Sequence, residues 1–381
     1  MVAEGPRGRA DGPDGLTLIV LGGAPAQRQA VEAAHRLGVR TVVCDSRPAA
    51  GDVTVSTEDT GAVLRVARDE DADGLIAPGT DWPVRIAAYV AEDLGLPHPV
   101  DVPTAVRCTN KLAQREALHA AGVPQPAWSA EAPPSFPCVV KAPDRQGQRA
   151  MSVVYRPDEL EAAASAARRG SRSGRVVFEA LVPGPEVTVN GFSVDGRFVA
   201  LAVTAREHFP GVIGVAQRHV YPSGLDDAAA ARAAEAAVTA LGIRNGPSYT
   251  QLILSPDGPR IMEVAARLGG GHDSEICRRA AGVDLAAAAV RAALGLEVAP
   301  ADLEPHPDGA CVIEFLRAPE GELRSATGPP EATFYHAPGH RYGPLRTATD
   351  RAGYVITQGA TREEALDRAR SAVQAVRFEV V

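Results

Sequence analysis

An apolar run ended by two glycines, TLIVLGG (17–23), opens an alternation that leaves few folds available to the first hundred residues. The run is too short for a packed helix, and its glycines stop it, so it reads as a strand buried on both faces. An amphipathic helix follows, with Ala30, Val31, Ala34 and Leu37 on one face and Gly38 as its stop. Strand VRTVVCD (39–45), a short strand near 52–55, a helix at 59–69, strand GLIAP (74–78) and a helix near 83–94 repeat the pattern. Alternation at this spacing gives parallel strands joined by right-handed crossovers, so residues 16–103 read as a small parallel α/β domain. Gly22, Gly23 and Asp45 sit where a dinucleotide-binding unit has its turn and its ribose acid. LGGAPAQ, however, lacks the third glycine of GxGxxG and reads as a tight strand-to-helix turn.

The texture changes at about residue 104. A helix at 104–120, strands at 136–143 and 151–155, a helix at 157–168 and strand 175–182 make a unit over 104–183. A hairpin at 185–204 with an Asp195–Gly196 turn, an Ala-rich helix at 227–240, a second hairpin and a helix at 274–294 make a unit over 184–304. Residues 305–381 add strand ACVIEFL and a final helix, 361–375, as an α+β segment packing on the unit before it. Residues 1–15, polar and rich in Gly and Pro, read as a disordered tail.

The net charge of −8 argues against nucleic-acid or membrane-surface binding, which need a basic field. No apolar run approaches the roughly 20 residues that span a bilayer. The five cysteines (Cys44, Cys108, Cys138, Cys277, Cys311) form no CxxC pair and suit buried free thiols in a reducing cytoplasm. Of 39 Lys plus Arg, only Lys111 and Lys141 are lysines. Where Arg serves as the general cation, a retained Lys marks either chance survival on the surface or a site needing a compact ammonium ion.

The second hairpin, SYTQLILSPDGPRIMEVAARLGGGHDSE (248–275), carries the most chemistry. A three-residue Pro256-Asp257-Gly258 loop would place Gln251 opposite Glu263, with Cβ atoms roughly 5 Å apart on one face. Two oxygen donors so placed can share a Mg²⁺ ion, although the local pattern also fits a polar cross-strand pair on a wet face. Arg267 comes four residues after Glu263, before Gly269-Gly270-Gly271, where backbone N–H groups can approach an anion.

In their order, these segments resemble the ATP-grasp superfamily, and within it the carboxylate–amine (L-amino-acid) ligase branch. The resemblance covers about residues 16–381. It rests on Asn110–Lys111 opening a helix before GVPQP (122–126), VVKAPDRQGQR (139–149), FEALVPGPE (178–186), QRHVYPSGL (217–225), MEVAARLGGG (262–271) and the closing YGPLRTATDRAGYVITQGATREEA. It implies an ATP-grasp fold: an N-terminal parallel α/β domain, a two-lobed ATP-binding core divided near 183, and a C-terminal α+β segment. It implies ATP and Mg²⁺ as cofactors, small-molecule carboxylate and amine substrates, and a possible homodimer.

The resemblance also assigns residues. Lys111 and Lys141 match the lysines on the α- and β-phosphates. Loop 144–150, with Gln146 and Gly147, matches the lid over the phosphates. Glu179, Ala180 and Val182 match the adenine-binding segment, and Glu186 matches the acid on the ribose hydroxyls. Gln251 and Glu263 match the metal ligands, and Arg267 the residue steadying the transferred phosphate. His219, Gly270 and Gly271 fall among substrate-pocket residues. Three positions depart from the usual pattern. Gln251 stands where Glu is usual and brings no charge to a metal, although some ATP-grasp enzymes share it. Ala150 replaces a common lid Gly and predicts a stiffer lid. Ala265 replaces a common Asn, as in the amino-acid-ligase branch, which uses an Arg like Arg267. The same chemistry with a thiol, hydroxyl or carrier-protein acceptor, or a non-catalytic ATP-binding module, stays open at this level.

Overall fold

The computed structural model describes residues 14–381; of the expected tail, residues 1–13 lie outside the described part. The N-terminal alternation yields β1 (Thr17–Leu21), α1 (Arg28–Arg36), β2 (Arg40–Asp45), β3 (Val53–Thr54), α2 (Thr60–Asp69), β4 (Gly74–Ile76) and α3 (Asp81–Leu94). Its four strands are parallel in the order β3-β2-β1-β4. The acid of the discounted dinucleotide motif has an internal task. Asp45 Oδ2 accepts the Gly23 N–H at 2.9 Å and so ties down the turn at Gly22, whose φ of +119° suits glycine.

The helix expected at 104–120 is two helices, α4 (Val102–Cys108) and α5 (Lys111–Ala120). The break is Asn110, whose Oδ1 accepts the Leu112 and Ala113 N–H groups at 3.0 and 3.3 Å. Asn competes with the helix through its own side chain, and as an N-cap it starts a new helix at Lys111. A four-stranded antiparallel sheet follows, from β5 (Trp128–Ser129), β6 (Cys138–Lys141), β7 (Met151–Val154) and β8 (Val177–Ala180), covered by α6 (Leu160–Gly170). This small lobe has its own apolar core, built around Cys138, Val140, Val154 and Phe178.

The large lobe comprises β9 (Glu186–Val194), β10 (Arg197–His208), β11 (Ala216–Tyr221), α7 (Asp227–Leu241), β12 (Gly246–Ser255), β13 (Gly258–Ala265), α8 (Asp273–Ala280) and α9 (Leu285–Ala293). Here too one expected helix, 274–294, is two. Gly282, at φ +74°, ends α8, and Asp284 caps α9 through the Ala287 N–H at 3.0 Å. The tail adds β14 (Ala310–Leu316), β15 (Gly321–Thr327), β16 (Ala332–Phe334), β17 (Arg341–Tyr342), β18 (Gly353–Gly359), α10 (Arg362–Ala375) and β19 (Arg377–Val380). Strands β14, β18 and β16 extend the large-lobe sheet edge to edge, giving the order β13-β12-β9-β10-β11-β14-β18-β16.

Two cores bind the N-terminal domain to the large lobe. One face of its sheet, with Leu18 and Val20, shares a core with Ala289 and Val290 of α9 and Ile313 of β14. The other, with Ile19 and Leu21, shares one with α3, Leu241 of α7 and Val264 of β13. The C-terminal ends of β1, β2 and β4 therefore open toward the large lobe, where open α/β sheets place their ligands. None of the helices among the described residues is long and apolar enough to cross a membrane. All five cysteines are buried free thiols, and burial pushes Cys44 up to about 11 and Cys108 and Cys311 up to about 12, which leaves them poor nucleophiles.

Candidate active site

Strand β13 is the edge of the large-lobe sheet, and its outer backbone groups need partners. They come from α5 and the chain after it. The Gln114 amide takes both the N–H and the C=O of Val264, each at 3.0 Å. Arg115 donates to the Ile261 and Met262 carbonyls at 2.9 and 2.6 Å, and the Ile261 N–H reaches the Pro124 carbonyl at 3.0 Å. Helix α5 thus fixes Lys111, at its first turn, against Glu263.

The pairing of Gln251 with Glu263 is as the hairpin pattern predicts, but the route differs. The loop closes on Ser255 and Gly258, one residue tighter than the expected three-residue loop, and a bulge between Gln251 and Leu252 restores the register. Both side chains line a cleft of about 440 Å³ between the two lobes, with Lys111, Lys141, Gln146, Gly147, Val182 and Glu186. Of the three residues assigned to adenine, Val182 alone lines that cleft, with Leu181 beside it; the Ala180 N–H is held by the Ala127 carbonyl at 2.8 Å.

Both lysines are buried, so surface survival is excluded for them. Lys111 Nζ lies 2.7 Å from Glu263 Oε1 and donates to the Arg145 carbonyl, also at 2.7 Å. Burial opposes its charge, but Glu263, Asp81 and Glu179 outweigh that and hold its pKa above the ordinary value. Lys141 Nζ lies 2.8 Å from Glu179 Oε2, and Arg115 Nε donates to Glu179 Oε1, also at 2.8 Å. Glu179 is fully buried, yet its two cations hold its carboxyl down at about 2. Burial is the larger effect on Lys141, whose pKa drops although Glu179 supports its charge; the neighbouring Arg115 and Lys111 add to the drop. Glu186, from β9, pairs with Arg206 at 2.6 Å and His208 at 2.8 Å.

A second cavity, of about 350 Å³, adjoins this cleft and shares Gln251, Glu263 and the lid residues. Its walls come from three parts of the chain: the loops after β1 and β4, the segment 267–271 with His219, and the tail residues Tyr335, Thr349 and Arg351. Arg267 pairs with Asp81 at 2.6 Å, and the Asp81 N–H donates to the lid's Gln146 Oε1. His219 is buried and bonds through Nδ1 to Asp273 at 2.7 Å, while Asp273 Oδ2 accepts the Gly271 N–H at 3.1 Å. In the lid, Gly147, Gln148 and Ala150 all have left-handed φ, between +54° and +67°.

The residues that sequence reasoning missed carry weaker signals. Asp81 could have been found, since an acid just after a parallel strand faces the ligand side of the sheet. Arg206 faces Glu186 only because a bulge near Ala200–Ala202 shifts the first hairpin by one residue. Arg115 is one arginine among many.

The donor set fits a hard cation and a polyphosphate. The Gln251 side chain has no hydrogen-bond partner among the described residues, Glu263 offers a carboxylate beside it, and two ammonium groups flank them. Mg²⁺ takes few protein oxygens and leaves places for phosphate, as this pair would.

The two-lobed arrangement is that of an ATP-grasp fold. The L-amino acid ligase C-terminal domain 2 family matches residues 315–381, and the ATP-binding domain of the carbamoyl-phosphate synthase L chain matches residues 120–300. Among solved structures, the L-amino acid ligase from Bacillus licheniformis aligns with a TM-score of 0.83 at 22% identity, covering 97% of this chain and 99% of that one. Phosphoribosylglycinamide synthetase from Anaerococcus prevotii aligns at 0.78 and 16% identity, covering 96% and 100%. Formate-dependent phosphoribosylglycinamide formyltransferase from Dechloromonas aromatica is 25% identical, over 96% of this chain and 97% of that protein. Residues 120–300 and 315–381 thus match an ATP-binding and an amino-acid-ligase family model, and the chain as a whole has the ATP-grasp fold. Residues 120–300, which carry Lys141, Gln251 and Glu263, correspond to an ATP-binding domain.

Proposed function

We propose that the enzyme joins an amino-acid-like carboxylate to an amine through an acyl phosphate. A carboxylate oxygen attacks the γ-phosphorus of ATP and ADP leaves. The amine nitrogen then attacks the acyl carbon, phosphate leaves, and the nitrogen loses a proton to solvent. The observation that carries this reading is the convergence of the chain's only two lysines, from separate elements, on one cleft with Gln251 and Glu263. The match to an amino-acid-ligase family over the tail supports the substrate class.

In this reading no side chain acts as a nucleophile, and the protein's work is positioning and charge stabilisation. Lys111 and Lys141 hold the α- and β-phosphates, Lys111 exchanging Glu263 for phosphate oxygens. Val182, with Ala180 and Glu179 behind it, forms the adenine side, and Glu186 the ribose side. Gln251 and Glu263 would hold Mg²⁺, which when bound neutralises phosphate charge. Arg267 steadies the transferred phosphoryl group. His219, oriented by Asp273, and Gly270 and Gly271 shape the substrate pocket. Lid residues Gln146 and Gly147 keep water from the acyl phosphate.

The test is an ADP-release screen over amino acids and other carboxylates with amine acceptors, read with mass spectrometry. A product weighing acid plus amine minus water is expected. A thioester or ester product would move the acceptor class, and ADP release indifferent to every carboxylate would sink the reading.

A further inference from the structure

The second cavity contains one buried cation that nothing among the described residues neutralises. Arg351 is 7% exposed and lines the cavity, and no hydrogen bond or ion pair to it exists among the described residues. Its guanidinium lies 3.7 Å above the Phe315 ring, a cation–π contact that orients it without supplying an anion. The carboxylates around the cavity are all engaged: Asp81 by Arg267, Glu263 by Lys111, Asp273 by His219. The Tyr335 hydroxyl is bonded to His272 at 2.7 Å. Burial, with Arg206 nearby, pushes Arg351 down to about 10, against the opposing pull of Tyr335, Tyr249 and Asp273. A buried charge with no counter-ion destabilises a fold unless a ligand supplies one.

We propose that Arg351 anchors a carboxylate of the substrate that takes no part in the reaction. The inference rests on the ligase reading, under which Arg267 already serves the phosphoryl end of the same cavity. A second, separate anion anchor means that the substrate pair carries a carboxylate beyond the one activated. Its planar fork suits a carboxylate held bidentately. The group belongs either to an acceptor amino acid, whose α-carboxylate stays free in the product, or to a donor with two carboxylates. Both present the same chemistry to Arg351.

Arg351→Met in the full chain tests this by turnover and by binding. With the substrate pair found by ADP release, KM for the carboxylate-bearing partner should rise roughly ten- to a hundredfold, the range for a charge-assisted hydrogen bond. KM for ATP should be unchanged. Replacing that partner's free carboxylate by a carboxamide should raise KM similarly in the parent and add little in the variant. If the amide effect appears with the acceptor, the acceptor holds the carboxylate; if with a dicarboxylic donor, the donor does. An equal KM in parent and variant, or an amide effect that persists undiminished in the variant, overturns the proposal.

The binding arm needs no turnover. Calorimetry with L-alanine, L-glutamate and their α-amides should show the acids binding the parent more tightly than the amides, a preference the variant loses. Acids and amides bound alike by the parent overturn the anchor, whereas absent ADP release beside a lost preference overturns only the ligase chemistry. The ligand-free Arg351→Met protein should melt at or above the parent temperature; a lower melting temperature with unchanged KM assigns Arg351 to packing on Phe315 and overturns the anchor. Arg351→Lys, which keeps charge without the fork, should bind the acids with intermediate affinity.

Discussion

At position 141 an arginine would keep the charge and lose the geometry. Glu179 is already held by Arg115 at one oxygen and Lys141 at the other, inside a fully buried cluster. A second guanidinium there has no room for its fork and would be drawn off the cleft. Lys141→Arg should lower carboxylate-dependent ADP release by about a hundredfold, the scale for losing one preorganised charge donor. Near-parental turnover would remove Lys141 from the nucleotide site. Glu263→Ala should abolish Mg²⁺-dependent turnover and leave a cooperative melt, because Glu263 faces the cleft rather than the core; an unchanged rate would exclude it as a metal ligand. The two lysines were legible because composition isolated them. Arg115 was not: its role comes from three carbonyl and carboxylate acceptors that meet only in the folded chain, and a chain rich in arginine gives it no contrast.

Among the elements, the hairpin β12–β13 shows how a right pairing can follow from a wrong turn. The Pro-Asp-Gly sequence signals a turn, and the face of Gln251 and Glu263 follows from strand alternation. The bulge that sets the register has no signature in the local residues; the helix start at Asn110–Lys111 is legible from its motif, whereas the break at Gly282 is not until the cap at Asp284 is seen. The glycine run after β13 is legible as a loop but not in its detail, since its members differ. A Cβ at Gly271 would stand 2.7 Å from His219 Cε1 and 3.0 Å from Asp273 Oδ2, whereas one at Gly270 would meet only the Gly79 carbonyl at 3.6 Å. Gly271→Ala should therefore displace the His219–Asp273 pair and raise KM for substrate or remove activity, with a destabilisation of about 1–3 kcal/mol. Gly270→Ala should melt within about 1 kcal/mol of the parent, at the scale of an unstrained substitution. Equal effects of the two changes on melting and on ADP release would contradict this geometry.

Across the whole molecule, His272 joins parts that the sequence presents as separate. It sits at φ +62° before α8, accepts at Nδ1 from the Gln29 amide of α1 at 3.0 Å, and meets the Tyr335 hydroxyl through Nε2 at 2.7 Å. Its ring stacks on Tyr354 of β18 with centroids 4.0 Å apart. Since an amide nitrogen only donates, Nδ1 is unprotonated, and a proton there would face another N–H. Burial pushes the His272 pKa down to about 4; Asp273 opposes the drop and Arg351 adds to it. Between pH 6.5 and about 4 the unfolded chain takes up a proton at this site and the folded chain does not, so the unfolded state binds more protons and stability rises with pH. The contribution is complete above pH 6.5 and is lost as the pH falls toward 4. His98, also held near 4 by burial, adds to the same slope. The comparison that isolates His272 is therefore the parent against His272→Asn, which tolerates the left-handed backbone and cannot titrate. The parent melting temperature should fall more steeply than the variant's between pH 6.5 and 4.5, with the two curves parallel above pH 7. Parallel curves throughout would mean that the junction of domain, lobe and tail tolerates a charged imidazole, and that the clamp is held by packing on Tyr354 instead.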